Sequence, residues 1–313
     1  MRNRFRDLII VLATAIVVAT LSFEIRKGGG HVAVAAESAP GRTADGKPDL
    51  GGIWQALNTA NWDLQTHAAR PALAVMPGPG GEVPAPPVLA LGAMGGVPGG
   101  VGVVEGEEIP YKPDAVEKKK ANFADILSRD PETKCYLPGV PRAIYLPYPF
   151  QIVQGTGKIM MIFEYAGANR TIHMDKITPS PVESWMGFSV GHWEGDTLVV
   201  DTTSLQEDTW FDRAGNFHSD ELHVVERFTP LTPYHLTYEA TIEDPKVFTR
   251  PWKISMPLYR HMEKNARLME YNCVQFVEEL MYGHLRKQQL AKRWEEDLGE
   301  TGGKLAFDVS RQR

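Results

Sequence analysis

The 313-residue sequence is poor in cysteine, has no excess of positive charge, and after its first two dozen residues has no segment apolar enough to read as a second membrane span. Each absence narrows the function. Cys135 and Cys273 are its two cysteines, too far apart for a CxxC pair and too few for a four-cysteine zinc site. They flank a β-rich region, and in an oxidising compartment such a pair persists as a disulfide, so we expect a Cys135–Cys273 bridge, with two separate buried thiols as the alternative. A loop this long stabilises by about 4–5 kcal/mol on the chain-entropy model. A net charge of −6 with mixed signs along the chain offers no basic stripe for a phosphate backbone, and no nucleic-acid partner is expected. The uncharged run Leu8 to Phe23 follows Arg2, Arg4 and Arg6 and reads as an export signal. Ala33-Val34-Ala35 is its cleavage candidate. The charged Glu24–Lys27 segment leaves an uncleaved anchor as the alternative, and this would be the protein's one attachment to a membrane, although the run is short for a core of ~30 Å. The location expected is periplasmic or extracellular.

The chain divides into a leader (1–36), an N-terminal strand and short helix (37–70), a Gly/Pro-rich excursion (71–113), a β-barrel domain with flanking helices (114–287) and a polar tail (288–313). Glycine and proline make up nearly half of the excursion, a composition read as unable to hold helix or ladder. Short helices are expected at Asn61–Ala69, with Asp63 and His67 on one face, and at Asp114–Arg129, with Val116, Phe123, Ile126 and Leu127 inward. Another is expected at Val274–Arg286, with Phe276, Val277, Leu280 and Met281 inward.

From Tyr148 to Asn272 the period is two. Strands are predicted at Gln151–Gln154, Lys158–Tyr165, Arg170–Met174, Met186–Trp193, Thr197–Thr202, Leu222–Thr229, His235–Glu243, Trp252–Arg260 and Ala266–Asn272. Turns such as Glu194-Gly195-Asp196 suit antiparallel neighbours. A meander this long closes or folds over to remove its edges. The fold class is therefore mainly β: an antiparallel meander closing into a lipocalin- or calycin-like barrel of roughly eight to ten strands.

Parity places Trp252, Ile254, Met256 and Leu258 on one face, and Leu236, Tyr238, Ala240 and Ile242 likewise. It also turns Glu226 inward beside Val224 and Phe228, His192 beside Phe188 and Val190, and Asp201 beside Val199. Charged groups on an inner face must pair or line a wet cavity; the pairing reading neutralises Glu226 with Arg142, Arg170 or Arg250. The segment 209–228 concentrates Asp212, Arg213, His218, Asp220, Glu221, His223 and Glu226, groups suited to acid–base work or metal binding. The spacing of His218 and His223 fits no metal pattern, since a strand or turn does not bring them together as HExxH on a helix does. Gly187-Phe188-Ser189-Val190-Gly191 has the form G-x-S-x-G, but a hairpin follows where a nucleophile elbow requires a helix.

The strings PDLGGIW, KCYLPGVPR, PYPFQIV, HWEGDTLVVDT, FHSDELHVVERF, TIEDPKVFTRPW and EYNCVQFVEELMYGHLRK together resemble a family of uncharacterised exported bacterial proteins, from about Pro48 to Lys287. The resemblance implies no activity. Gly52-Ile53-Trp54 is similar to the lipocalin G-x-W at the start of a first strand, whose Trp closes the barrel floor under an arginine from a late strand.

Two functions follow. The first is binding of a small, largely apolar molecule in the lumen, with Glu226, His192, Asp201, Tyr238, Met256, Trp252 and Phe188 as lining and no cofactor. The second is acid–base catalysis as a hydrolase, lyase or isomerase, with Glu226, His192, His218, Asp220 and His223. Convergence of these groups in one open pocket favours the enzyme; salt-bridged or scattered groups favour binding or a purely structural role.

Overall fold

The computed structural model describes residues 40–69, 75–78, 81–84, 97–124, 126–175, 177–178 and 182–277. The leader, the tail, Leu280 and Met281 lie outside these. The described strands are β1 (Gly52–Ala56), β2 (Val75–Gly78), β3 (Gly81–Pro84), β4 (Phe150–Gln154), β5 (Lys158–Phe163), β6 (Asn169–His173), β7 (Phe188–Glu194), β8 (Thr197–Thr203), β9 (His223–Thr232), β10 (His235–Glu243) and β11 (Trp252–Arg260). Nine of them form a closed barrel in the order β1-β11-β10-β9-β8-β7-β6-β5-β4.

Alternation explains the best-formed part of the wall. Leu236, Tyr238, Ala240 and Ile242 on β10 are fully buried and stand opposite Leu258, Met256, Ile254 and Trp252 of β11. Glu226 and Phe228 of β9 face Ala240 and Tyr238. Closure comes from β1, which pairs with β11 through Trp54–Arg260 and with β4 through Trp54–Phe150. Arg260 lies over the Trp54 ring, 4.8 Å from its centroid, and the indole donates to the Leu50 carbonyl at 2.9 Å. Gly52 has φ +136°, and a Cβ there would lie 3.2 Å from Arg260 Nε. The G-x-W therefore needs its glycine on both backbone and packing grounds.

The wall is not wholly antiparallel. β6 and β7 run parallel and meet only at Ile172–Ser189 and His173–Val190. Parallel neighbours need a crossover of a dozen or more residues, which the link from Met174 to Gly187 supplies. The predicted strand Ala266–Asn272 is absent, because β1 already occupies the closing position beside β11. That stretch is instead a strap: the Met269 N–H donates to Glu164, Tyr271 packs 5.0 Å from both Tyr148 and Tyr165, and Cys273 is bonded to Cys135. The expected disulfide is present.

The Gly/Pro-rich stretch holds more structure than its composition suggests. β2 and β3 form a two-stranded ladder, in which every strand is an edge and a proline can turn its missing N–H outward. Further on, Ser255 N donates to Val103 O and Glu105 N to Lys253 O, both within 2.9 Å. Val103–Glu105 thus completes the wall where β1 is too short to follow β11. The described α-helices are α1 (Pro113–Ala124), α2 (Ile126–Arg129) and α3 (Arg142–Tyr145), the last buried at all four residues. Phe123, expected inward, is exposed, while Asn122 is buried and donates to Gly215 O. Gly215 lets the helix backbone approach, since a Cβ there would lie 2.9 Å from Lys119 O. Residues 61–69 form turns rather than a helix, and His67 pairs with Gly100. Of the helix expected at Val274–Arg286, Phe276 is half-buried at a turn and Val277 half-buried in helical conformation, and the residues from 278 on lie outside the described ones.

Candidate binding cleft

Glu226 points inward, as parity requires, and is fully buried. The guanidinium of Arg170, from β6, grips it with both terminal nitrogens: Nη1 donates to Oε1 at 3.1 Å and Nη2 to Oε2. Arg170 also donates to Ser189 Oγ at 2.8 Å and Thr202 Oγ1 at 2.7 Å. Tyr238 Oη completes the set by donating to Glu226 Oε1 at 2.9 Å, and its own ionisation is pushed well up by burial and by the carboxylate beside it. Every member of this network is paired, as a buried charge requires.

The network fills the barrel. Glu226, Phe228, Tyr238, Ala240, Ile254 and Leu258 all show 0% exposure, so no water-sized space touches them. The inner face therefore leaves no room for a ligand at the level of Glu226. Met256 and Trp252 are inside and buried; Trp252 is boxed by Phe211 and Phe248, 5.6 and 5.4 Å away.

The remaining candidates are dispersed. His192, Asp201 and Phe188 face outward, contrary to the parity reading. On β7 the inward residues are Ser189 and Gly191, and on β8 Leu198, Val200 and Thr202. Here apolarity gives no contrast, because Val199 is buried as well as Val200. The polar inward position, Ser189, is dictated by Arg170. His192 is exposed and 3.2 Å from Glu194. His223 reaches Asp201 at 3.0 Å on the outer wall. Asp220 is an exposed partner of Lys246 at 2.7 Å.

His218 is buried, accepting at Nε2 from Thr209 Oγ1 (2.6 Å) and donating from Nδ1 to Ser219 O (2.8 Å). Burial holds it neutral, lowering its pKa to about 4. Asp212 knits the same loop, accepting from the N–H groups of Leu64, Ala214 and Asn216. Burial and the charge of Asp63 raise it to about 7 against those donors. The catalytic candidates thus share no open pocket, and among the described residues no group of three His, Cys, Asp or Glu is placed to hold a metal.

A second buried charge cluster lies outside the barrel, where Arg142 binds Asp130 at 3.0 Å and Glu132 at 2.7 Å, and Arg213 binds Glu132 at 2.8 Å. Burial opposes ionisation of Glu132, but the charges of Arg213 and Arg142 bring its pKa down to about 2. Arg142 is therefore not the partner of Glu226, and Arg250 is exposed.

An open cleft of about 360 Å³ lies elsewhere, at the β6–β7 seam. The two strands touch at only two positions and diverge toward their N-terminal ends, leaving a fork. Asn169 and Thr171 line one side, Ser184 and Trp185 the other, with Phe188 at the apex and Arg170 and Ser189 among the lining. The rings are held in place: Phe188 stacks on His173 at 5.2 Å, and Trp185 packs on Tyr136 at 4.7 Å, next to the disulfide-bonded Cys135. Of these residues only Phe188 is signalled by periodicity. The signal that points to the rest is the length of the 174–187 link, too long for a hairpin and therefore a mark of a parallel seam. Comparison with family models, curated proteins and solved structures returned no match.

Proposed function

We propose that this is an exported small-molecule-binding protein whose ligand sits in the β6–β7 cleft, not in the lumen. The observation that carries the reading is the fork itself: it is an open concavity with two anchored aromatic rings and a few polar groups, the composition expected of a ligand site. The scatter of His192, His218, Asp220 and His223 supports binding over acid–base catalysis. The Arg260–Trp54 stack supports a lipocalin-like ancestry for the barrel, in keeping with its proposed place among uncharacterised exported bacterial proteins. The Cys135–Cys273 bridge fits an oxidising compartment. A screen of small ring-bearing apolar compounds by thermal shift is expected to find stabilisers whose effect disappears in Trp185→Ala. Stabilisers that act equally well on Trp185→Ala would place the site elsewhere, and a screen without any would remove the reading.

A further inference from the structure

The backbone at the mouth of the fork defines what the cleft takes. The phase of the β5–β6 ladder is fixed at both ends: Phe163 N donates to Ala168 O at 2.8 Å, and Met174 N to Gly157 O at 3.1 Å. Hydrogen-bonded pairs in an antiparallel ladder recur at every second residue. Ala168, Arg170, Ile172 and Met174 therefore turn their main-chain groups toward β5, and Asn169, Thr171 and His173 turn theirs away, toward β7. There β7 is reached only at Ile172–Ser189 and His173–Val190. Asn169 thus presents both its N–H and its C=O to the cleft, with no strand opposite among the described residues. This is a short length of open sheet edge inside an otherwise closed wall, and an open edge is a template for another extended chain.

Resting on the reading of the cleft as the ligand site, we infer that its ligand is a short extended peptide that adds to the β6 edge inside the fork. The donor and acceptor of Asn169 match the spacing of a peptide main chain, which supplies affinity in strand addition, while flanking pockets select side chains. Trp185 and Phe188 flank the edge, so the favoured side chain is aromatic or bulky and apolar. Charge limits the ligand further. The guanidinium in the lining, Arg170, is already matched by Glu226, which among the described residues leaves no unbalanced cation there for a free carboxylate and favours an internal or blocked segment. The volume, about 360 Å³, restricts the ordered part to a few residues.

The test uses the full chain, isothermal calorimetry and four probes: acetyl-Ala-Phe-Ala-amide, the same peptide methylated on the phenylalanine nitrogen, the same peptide methylated on the following nitrogen, and p-cresol as a ring without a main chain. The parent peptide is expected to bind saturably. One of the two methylated forms is expected to bind about tenfold more weakly, the loss of one hydrogen bond, and Trp185→Ala is expected to weaken the parent. Equal binding of the parent and both methylated peptides overturns the inference. Binding of p-cresol at the Trp185 wall without binding of the peptide also overturns it, while leaving the cleft as a ligand site. If neither binds and the compound screen is also empty, both readings fall.

Discussion

Glu226 and Arg170 show how one residue pair constrains the barrel. Removing the carboxylate's charge strands a guanidinium that is 2% exposed, a loss of about 3–5 kcal/mol for a broken buried pair. Glu226→Gln is expected to lose that much in urea unfolding, and an Arg170→Met/Glu226→Leu double variant to recover most of it. A Glu226→Gln loss below about 1 kcal/mol would mean that the pair contributes little. His218 gives a pH signature. Its folded pKa of about 4 lies below the ordinary 6.5, so the unfolded chain binds more protons between these values. The contribution of neutral His218 is complete above pH 6.5 and is lost as pH falls toward 4, about 3 kcal/mol in all. Asp212, raised to about 7 from 3.8, acts in the opposite sense: its contribution is complete below pH 3.8 and is lost as pH rises through 7. The two must therefore be separated by comparing variants. Between pH 6.5 and 4 the two slopes largely cancel in the parent, so His218→Asn is expected to leave the Asp212 slope uncompensated and to gain stability as pH falls through that range; a slope unchanged from the parent would refute the assignment.

Among the elements, the strap depends most on a single bond. Cys135 and Cys273 are separated by 138 residues with Cα atoms 5.7 Å apart, and the chain-entropy model gives about 4–5 kcal/mol for such a closure. Reduction with a phosphine is expected to lower the unfolding free energy by up to that amount and to weaken ligand binding, because Tyr136 beside Cys135 supports Trp185. Unchanged affinity after complete reduction would uncouple the strap from the cleft. The elements also show what the sequence reveals. β9, β10 and β11 are legible because buried and solvated positions alternate cleanly, as with Tyr238 between Thr237 and Glu239. β7 and β8 are not, because Val199 and Val200 are both buried and the inward Ser189 is polar to serve Arg170. Ala266–Asn272 has strand-like residues but no free edge to join, and edge availability is a property of the whole sheet. The Asn61–Asp130–Glu132–Arg142–Arg213 cluster assembles from distant parts of the chain, so no local pattern announces it.

At the scale of the molecule, closure by β1 and filling by side chains leave a barrel whose centre serves stability and whose seam carries the open cleft. The two roles separate by mutation. Phe228 is fully buried and its ring lies 5.0 Å from Tyr238; truncating it leaves a cavity in a close-packed interior, at about 3–5 kcal/mol. Phe228→Ala is therefore expected to lower the urea midpoint markedly and to leave ligand affinity near that of the parent wherever it remains folded. Trp185→Ala, a half-buried wall residue, is expected to do the reverse, losing affinity with a stability change within about 1 kcal/mol. Measuring midpoint and affinity for both proteins gives a crossed pattern if the seam holds the ligand. A Phe228→Ala protein that stays folded but loses the ligand, beside a Trp185→Ala protein that keeps it, would return the ligand to the lumen, because a change confined to the filled centre can abolish binding only if the ligand enters there.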